Sequence, residues 1–212
     1  MSYYIEINSE GSKKINSFLN ETTLFICTIY VQMIYAAFYR PEGVFDSYFN
    51  KIAAFATGRG PYCHSEFIFQ WDREQLQQVL GRVKGFGQLR SKAPQDLTSV
   101  ALYIIWGGRV GYRVLDQDYG FYSVPSSDKI HLNISFEKEL NMLNWLTNQM
   151  GASYDTTGAV LCMVPWRKFS TSYEKYFCSQ LMACALQRLG YLQNCNPGHL
   201  SPNKLYHRLQ TR

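Results

Sequence analysis

Cysteine is the residue type in this chain with the most direct chemical potential. A thiol is a nucleophile only as its thiolate, and the partial positive charge at a helix N-terminus favours that form. Cys178 lies where the strongest C-terminal helical pattern begins, whereas Cys184 falls inside that pattern and Cys27 lies in an apolar strand pattern. Cys178 is therefore the candidate nucleophile among the six cysteines, Cys27, Cys63, Cys162, Cys178, Cys184 and Cys195. The alternative interpretation is that Cys178 is a small buried residue with no catalytic role.

A thiol nucleophile needs a proton acceptor, and His64 is the best placed of the four histidines. It opens a predicted strand and is followed two residues later by Glu66, and side chains two apart on a strand project from the same face. The Glu66 carboxylate could therefore orient the imidazole. Cys63 is adjacent to His64 and is predicted to point to the opposite face. The alternative is that His64 is an ordinary surface residue of the strand.

Other kinds of site find little support in the sequence. The cysteines and histidines near the C-terminus do not have the paired spacing of zinc sites, and no Gly-x-Ser-x-Gly elbow or phosphate-binding glycine loop occurs. A net charge of +5 without any Lys/Arg run longer than a pair argues against a nucleic-acid surface. The most apolar stretch, residues 23–39, is too short and too often interrupted for a membrane span. The sequence thus predicts no metal, no cofactor, no nucleic-acid partner and no membrane span.

The hydrophobic pattern predicts an α+β domain in which strands and helices position these residues. Strands are predicted at residues 23–31, 64–71, 100–106, 112–115, 120–124 and 130–134. Helices are predicted at residues 44–57, ended by Gly58; at 72–80; from the N-cap Ser135 to Gly151; and, last in the chain, at 176–189, ended by Gly190.

Length and composition suit one domain spanning residues 1–212, with residues 1–21 as a peripheral segment. Residues 72–96 are interpreted as an insertion. The cysteines lack the regular spacing of a disulfide scaffold, and the N-terminus lacks a signal-peptide pattern, so we expect a reducing, cytoplasmic location.

Several short motifs, taken in order, resemble the circularly permuted branch of the NlpC-type papain-like cysteine hydrolases, the YiiX-like proteins and their poxvirus relatives. The motifs are GRGPYCHSE at 58–66, GASYD at 151–155, FCSQL at 177–181 and GHLSPNKL at 198–205. An early apolar strand pattern at residues 23–31 precedes them, and the resemblance covers roughly residues 22–207. One departure is Gln180, where the family often has Glu; we expect Gln180 to support the start of its helix.

The resemblance implies a papain-like fold, with a small antiparallel sheet packed against helices that include the helix of the nucleophile. It implies Cys178 as nucleophile, His64 as general base and Glu66 as the third, polar member, with Asp116 and Asp118 as the alternatives to Glu66. The implied activity is cleavage of an amide bond in a protein or peptide, as in a peptidase, isopeptidase or amidase. Two alternatives stay open: hydrolysis or transfer of a lipid or thioester acyl group by the same residues, and an inactive papain-like binding module. The poxvirus relatives associate the chain with a viral source, and no residue of the sequence supports that association independently.

Overall fold

The structure is a computed structural model that describes residues 5–7, 13–15, 28–29, 33–56, 60–87, 89, 97–115, 127–162 and 174–211. By its internal contacts the chain divides into two units, Met1–Gln32 and Met33–Arg212. The first contains a three-stranded antiparallel sheet of β1 (Ile5–Ile7), β2 (Lys13–Ile15) and β3 (Thr28–Ile29). Of the strand predicted at residues 23–31, only β3 lies within the described residues.

The second unit is built around a five-stranded sheet in which every neighbouring pair is antiparallel. The strand order is β7-β6-β5-β4-β8. The strands are β4 (Met33–Tyr39), β5 (His64–Asp72), β6 (Leu97–Tyr103), β7 (Gly111–Val114) and β8 (Ser127–His131). The central strand, β5, is buried along almost its whole length, which fits its run of aromatic and β-branched residues.

Six α-helices complete this unit within the described residues: α1 (Tyr48–Ala56), α2 (Arg73–Arg82), α3 (Phe136–Asn148), α4 (Thr156–Leu161), α5 (Cys178–Arg188) and α6 (Pro202–Gln210). A short parallel pair, β9 (Ser153–Tyr154) and β10 (Lys175–Tyr176), precedes α4 and α5 respectively. The predicted α+β class is confirmed.

Local signals explain where the helices begin and end. The Asp72 side chain accepts a hydrogen bond from the Gln75 N–H, and the Gln75 side chain accepts one from the Asp72 N–H, so α2 starts with a complete capping box. Ser201 caps α6 by accepting from the Lys204 N–H. Gly190, with a φ of +86°, follows α5 in the left-handed conformation that ends helices. The predicted end of this helix is therefore confirmed.

The two faces of the sheet bury different sets of side chains. Alternate residues of β5, including Phe67, Phe69 and Trp71, belong to the main hydrophobic core together with buried residues of α2, α3, α5 and α6. Ile68, between them, belongs to a smaller cluster on the other face. The composition of that cluster is Ala37, Tyr39, Phe45, Ala54, Cys63 and Ile68. His64 and Glu66 have the same strand parity as Ile68, so they share its face.

The structure differs from the predicted elements in four places. The helix predicted as the last, at residues 176–189, is followed by α6, and the short helix α4 was also missed. In the early apolar stretch, β4 is a full strand because β5 and β8 pair with it on both sides. The strand predicted at residues 130–134 begins and ends three residues earlier, as β8 (Ser127–His131). The predicted strand at 120–124, Gly58 and Cys27 lie outside the described residues.

Leu76, Val79 and Phe86 of the segment interpreted as an insertion, residues 72–96, contribute to the main core. The single-domain assignment, the insertion and the peripheral role of residues 1–21 stay predictions.

Candidate active site

Strand β5 presents His64 and Glu66 side by side in the interior. His64 is 5% exposed and Glu66 is 2% exposed. The His64 Nε2 atom lies 3.6 Å from the Glu66 Oε2 atom. The two side chains therefore share one face of the strand, as their spacing predicts, but neither is the surface residue of the alternative interpretation.

Glu66 is held by two further side chains that come from neighbouring strands. Tyr39 of β4 donates a hydrogen bond to Glu66 Oε1 at 2.5 Å, and Arg113 of β7 donates one to the same atom at 2.6 Å. Burial by itself raises the pKa of Glu66, but the neighbouring His64 imidazole, the charge of Arg113 and the Tyr39 hydroxyl outweigh it and lower the pKa. The carboxylate is therefore charged at neutral pH.

Aromatic rings enclose the imidazole. The Phe45 ring stacks on His64 with centroids 4.8 Å apart and an interplanar angle of 24°, and the Tyr39 ring lies 5.7 Å away. Phe45 belongs to a 3₁₀ turn just before α1, and Asn50 of α1 donates a side-chain hydrogen bond to the Phe45 carbonyl at 2.9 Å. This packing fixes the ring plane of His64 and keeps water from most of it.

Cys178 is the first residue of α5, as the sequence predicts. The chain reaches it through β10, where the Tyr176 carbonyl accepts a hydrogen bond from the Asp155 N–H at 2.8 Å. The Gln180 side chain accepts a hydrogen bond from the Phe177 N–H at 3.4 Å, so Gln180 supports the helix start as expected. Cys178 is 6% exposed. Because it is the first residue of a buried helix, its thiol lies at the positive end of the helix dipole.

The thiol and the imidazole perturb each other in the directions that nucleophile activation requires. Burial raises the pKa of Cys178, but its interaction with the His64 imidazolium and the backbone N–H groups of Ser65 and Ser179 outweigh burial, so the pKa is lowered. Burial likewise lowers the pKa of His64, but the Cys178 thiol and the Glu66 carboxylate beside it outweigh burial and raise the pKa to about 9. The arrangement therefore favours a thiolate–imidazolium pair.

The other buried cysteines behave in the opposite way. Burial raises the pKa of Cys63 and of Cys162 to about 12, and that of Cys184 to about 11. For Cys63 and Cys162 the nearby charge of Cys178 adds to the effect. The pKa of Cys178 thus differs in direction from those of the other three thiols because of its neighbours, since all four side chains are buried.

The prediction that Cys63 points away from His64 is wrong. Cys63 lies in the same small cluster as Tyr39 and Phe45, both of which contact the imidazole, and it lines the same cavity as Cys178. The physical reason is that β5 begins at His64. Strand alternation therefore does not govern the direction of the residue before it.

Cys178 lines a cavity of about 100 Å³. Its walls come from α1, the turn at Trp106, Tyr154 of β9, α4 and the starts of α5 and α6. The lining residues are Asn50, Ile52, Ala53, Cys63, Trp106, Tyr154, Ala159, Val160, Cys162, Phe177, Cys178, Ser201 and Pro202. The thiol is therefore reached through a mostly apolar opening.

Asn203 of α6 joins the segments on either side of the site. Its Oδ1 accepts a hydrogen bond from the Tyr62 N–H at 2.8 Å, and its Nδ2 donates one to the Ala54 carbonyl at 3.3 Å. Asn203 is fully buried. The amide thereby fixes both α1 and the approach to His64 relative to α6.

The structure brings together all three residues singled out in the sequence, Cys178, His64 and Glu66. The sequence reasoning missed Tyr39, Phe45, Arg113 and Asn203. A signal existed for Arg113, because a charged residue inside a short strand pattern needs a buried partner or an exposed face. Asp116 and Asp118, the alternatives to Glu66, lie outside the described residues.

No family model, no curated protein and no solved structure matches the chain. Within the described ranges, no group of three or more His, Cys, Asp or Glu side chains is arranged to hold a metal ion. Across those same ranges, no helix combines the length and the apolar character that crossing a membrane takes.

Proposed function

We propose that this chain is a cysteine-dependent hydrolase that cleaves an amide bond through an acyl-enzyme, with Cys178 as nucleophile, His64 as general base and Glu66 as the residue that orients and charges His64. The observation that carries the proposal is that a cysteine at the start of a buried helix lines a cavity and interacts with a buried histidine, which itself lies 3.6 Å from a buried carboxylate. The directions of the pKa shifts support it. The pKa of the Cys178 thiol is lowered while that of the His64 imidazole is raised to about 9. Perturbed pairs of this kind in a cleft are a mark of functional sites.

Acylation begins with the Cys178 thiolate attacking the carbonyl carbon of the amide. A C–S bond forms, and the negative charge moves to the carbonyl oxygen, which backbone N–H groups at the start of α5 can stabilise. The C–N bond then breaks as the His64 imidazolium gives its proton to the nitrogen. The amine leaves, and a thioester remains on Cys178.

Deacylation returns the enzyme to its starting state. Neutral His64 takes a proton from water, the resulting hydroxide attacks the thioester carbonyl, and a C–O bond replaces the C–S bond. The products are a carboxylic acid and the Cys178 thiolate beside the His64 imidazolium. Glu66, itself fixed by Arg113 and Tyr39, stabilises the imidazolium in both half-reactions.

The proposal includes a fold, the permuted papain-like arrangement. A helix that begins with the nucleophile and packs against an antiparallel strand carrying the histidine is the arrangement that the resemblance to permuted NlpC-type hydrolases implies. Contacts between α5 and β5 and the order of His64 before Cys178 support it. A thiol nucleophile works only while reduced, so the proposal assigns the enzyme to a reducing, cytoplasmic environment.

A second function on the same residues is hydrolysis or transfer of a lipid or thioester acyl group. The observation that favours it is the apolar lining of the cavity at Cys178. An inactive binding module is the third candidate, and it requires Cys178 to react no faster than an ordinary thiol. Thiol reactivity therefore separates the first two candidates from the third.

The test is intact-mass analysis after incubation with electrophilic probes built on a peptide, a ubiquitin-like protein and a lipid ester. The proposal predicts a single adduct that maps to Cys178 and is absent in Cys178→Ser. Cys184→Ser is the matched control, since Cys184 lies in the same helix and its pKa is raised to about 11 by burial. A wild-type protein that forms no adduct with any probe, or forms it on another cysteine, contradicts the proposal.

A further inference from the structure

Large hydrophobic side chains that face solvent are concentrated around the opening of the Cys178 cavity. In the part of the chain that the structure describes, six such residues are exposed, and three of them, Ile52, Trp106 and Val160, line the cavity. Two more, Tyr48 and Phe55, lie on α1 together with Ile52. We call these five residues the apolar collar. The sixth, Leu97, begins β6 and does not line the cavity.

Three large hydrophobic residues of helix α1 face outward. Tyr48, Ile52 and Phe55 are spaced i, i+4 and i+7, so they share one face of the helix, and they are 82%, 44% and 89% exposed. Among the described side chains of the helix, the small residue Ala54 is buried. At 1.5 Å per residue the outward row extends about 10 Å from Tyr48 to Phe55. Exposure of such a row is costly unless something apolar covers it during function.

We infer that the acyl half of the substrate is an apolar hydrocarbon chain that enters beside Cys178 and continues along the apolar collar. This inference rests on the proposed function, because the chain is placed by its attachment to the carbonyl that Cys178 attacks. A cavity of about 100 Å³ is smaller than the pockets of roughly 300–1,000 Å³ that enclose whole ligands. It therefore takes only the first part of the chain, and the row on α1 takes the rest.

The backbone around the cavity favours a hydrocarbon over an extended peptide. A recurring way to bind an extended peptide is to pair its backbone with the free edge of a strand. Tyr154 is the one described lining residue within a strand, and its N–H already donates to the Gly108 carbonyl at 3.0 Å. The other described lining residues belong to helices, turns and loops. A hydrocarbon needs no backbone partners, so the collar can bind it through area alone.

The experiment compares 4-nitrophenyl esters of acetate, butyrate and octanoate, each below its micellar concentration. Nitrophenol release gives kcat/KM, and intact mass gives the acyl group on Cys178. Each methylene that leaves water for the collar raises kcat/KM about fourfold. Octanoate has six more methylenes than acetate, and if half of them leave water octanoate should exceed acetate by about 60-fold, after correction for uncatalysed hydrolysis.

Two matched asparagine variants locate the effect. Ile52→Asn is expected to reduce the ratio of octanoate to acetate about tenfold, because the longer acyl chain loses an apolar contact that acetate does not reach. Leu97→Asn is the control, because Leu97 is 41% exposed against 44% for Ile52 but lies outside the cavity lining. That variant should keep the wild-type ratio. Thermal unfolding of both variants shows whether either change disturbs the fold.

The outcomes separate this inference from the proposal on which it rests. If Cys178 is acylated but acetate is used as well as octanoate, the inference is wrong and the cysteine hydrolase stands. If no ester acylates Cys178, the proposed function itself fails. If Ile52→Asn lowers the melting temperature by many degrees and leaves the ratio of octanoate to acetate unchanged, the apolar collar packs against other parts of the protein and does not bind substrate. That result also overturns the inference.

Discussion

The buried ion pair between Arg113 and Glu66 gives a prediction whose size follows from the structure. The Arg113 Nη2 atom lies 2.6 Å from Glu66 Oε1, and the two side chains are 7% and 0% exposed. Removing one partner of a buried pair costs about 3–5 kcal/mol when the other charge is left uncompensated. Here the His64 imidazolium, 3.6 Å from the Glu66 carboxylate, still offsets part of that charge. Arg113→Met keeps the length of the side chain and removes its charge. We therefore expect the free energy of unfolding at pH 7 to fall by about 2–4 kcal/mol, somewhat less than for a fully uncompensated charge.

A second substitution separates lost charge from lost packing. In the double variant Arg113→Met, Glu66→Gln, the carboxylate that lost its arginine is itself neutral, so we expect about half of the loss or more, about 1–2 kcal/mol, to be recovered relative to Arg113→Met. Recovery is incomplete because Arg113 also lies over the Tyr103 ring, 4.8 Å from its centroid.

Urea unfolding followed by circular dichroism measures all the variants, with the slopes compared to verify two-state behaviour. Arg82→Met is the control, since Arg82 makes two hydrogen bonds of 2.7 Å to Glu137 at the surface and should cost far less. If Arg113→Met is no more destabilising than Arg82→Met, Glu66 is not held as a buried carboxylate and the reasoning is refuted.

The remaining predictions concern turnover, packing and selectivity. Glu66→Gln should lower turnover by about one to two orders of magnitude. It should also move the basic limb of the pH–rate profile to lower pH, because an imidazolium without its carboxylate loses its proton more easily; an unmoved limb means that Glu66 does not act on His64. Asn203→Ala should reduce the free energy of unfolding by about 1–3 kcal/mol in urea titrations, because the buried Tyr62 N–H loses its acceptor; no loss would mean that this N–H finds another. Peptide mapping after limited iodoacetamide treatment at neutral pH should find Cys178 labelled before the other cysteines, and earlier labelling elsewhere would contradict the assignment of the nucleophile.

Much of the site follows from local sequence because local rules determine it. Strand β5 could be predicted from its apolar and aromatic run, and the shared face of His64 and Glu66 follows from their spacing of two. The start of α5 at Cys178 follows from the helical pattern that Gly190 ends. What spacing alone could not supply is the meeting of Cys178 with His64, because 114 positions separate them in the chain. That pairing came from the order of the short motifs.

The residues that support the site were missed because long-range strand pairing determines their neighbours. Tyr39 pairs with His64 across β4 and β5. Arg113 reaches Glu66 only because β6 lies between β5 and β7 in a particular register. A hydrophobic pattern identifies strands but not their order. The helical spacing of residues 44–57 likewise indicates a helix, yet it cannot tell that α1 exposes Ile52 and Phe55 beside a cavity.

The pH dependence of Cys178 alkylation, measured in the wild type and in His64→Ala, tests the central claim most directly. Iodoacetamide needs no substrate, so the rate reports the thiolate alone. In the wild type we predict a half-maximal rate below pH 9.0, the ordinary pKa of a cysteine thiol, because the His64 imidazolium and the N–H groups of Ser65 and Ser179 stabilise the thiolate. In His64→Ala, burial is no longer offset by the imidazolium, and the midpoint should move to higher pH. An identical midpoint in both proteins would contradict the account, because His64 would then not be the partner of Cys178.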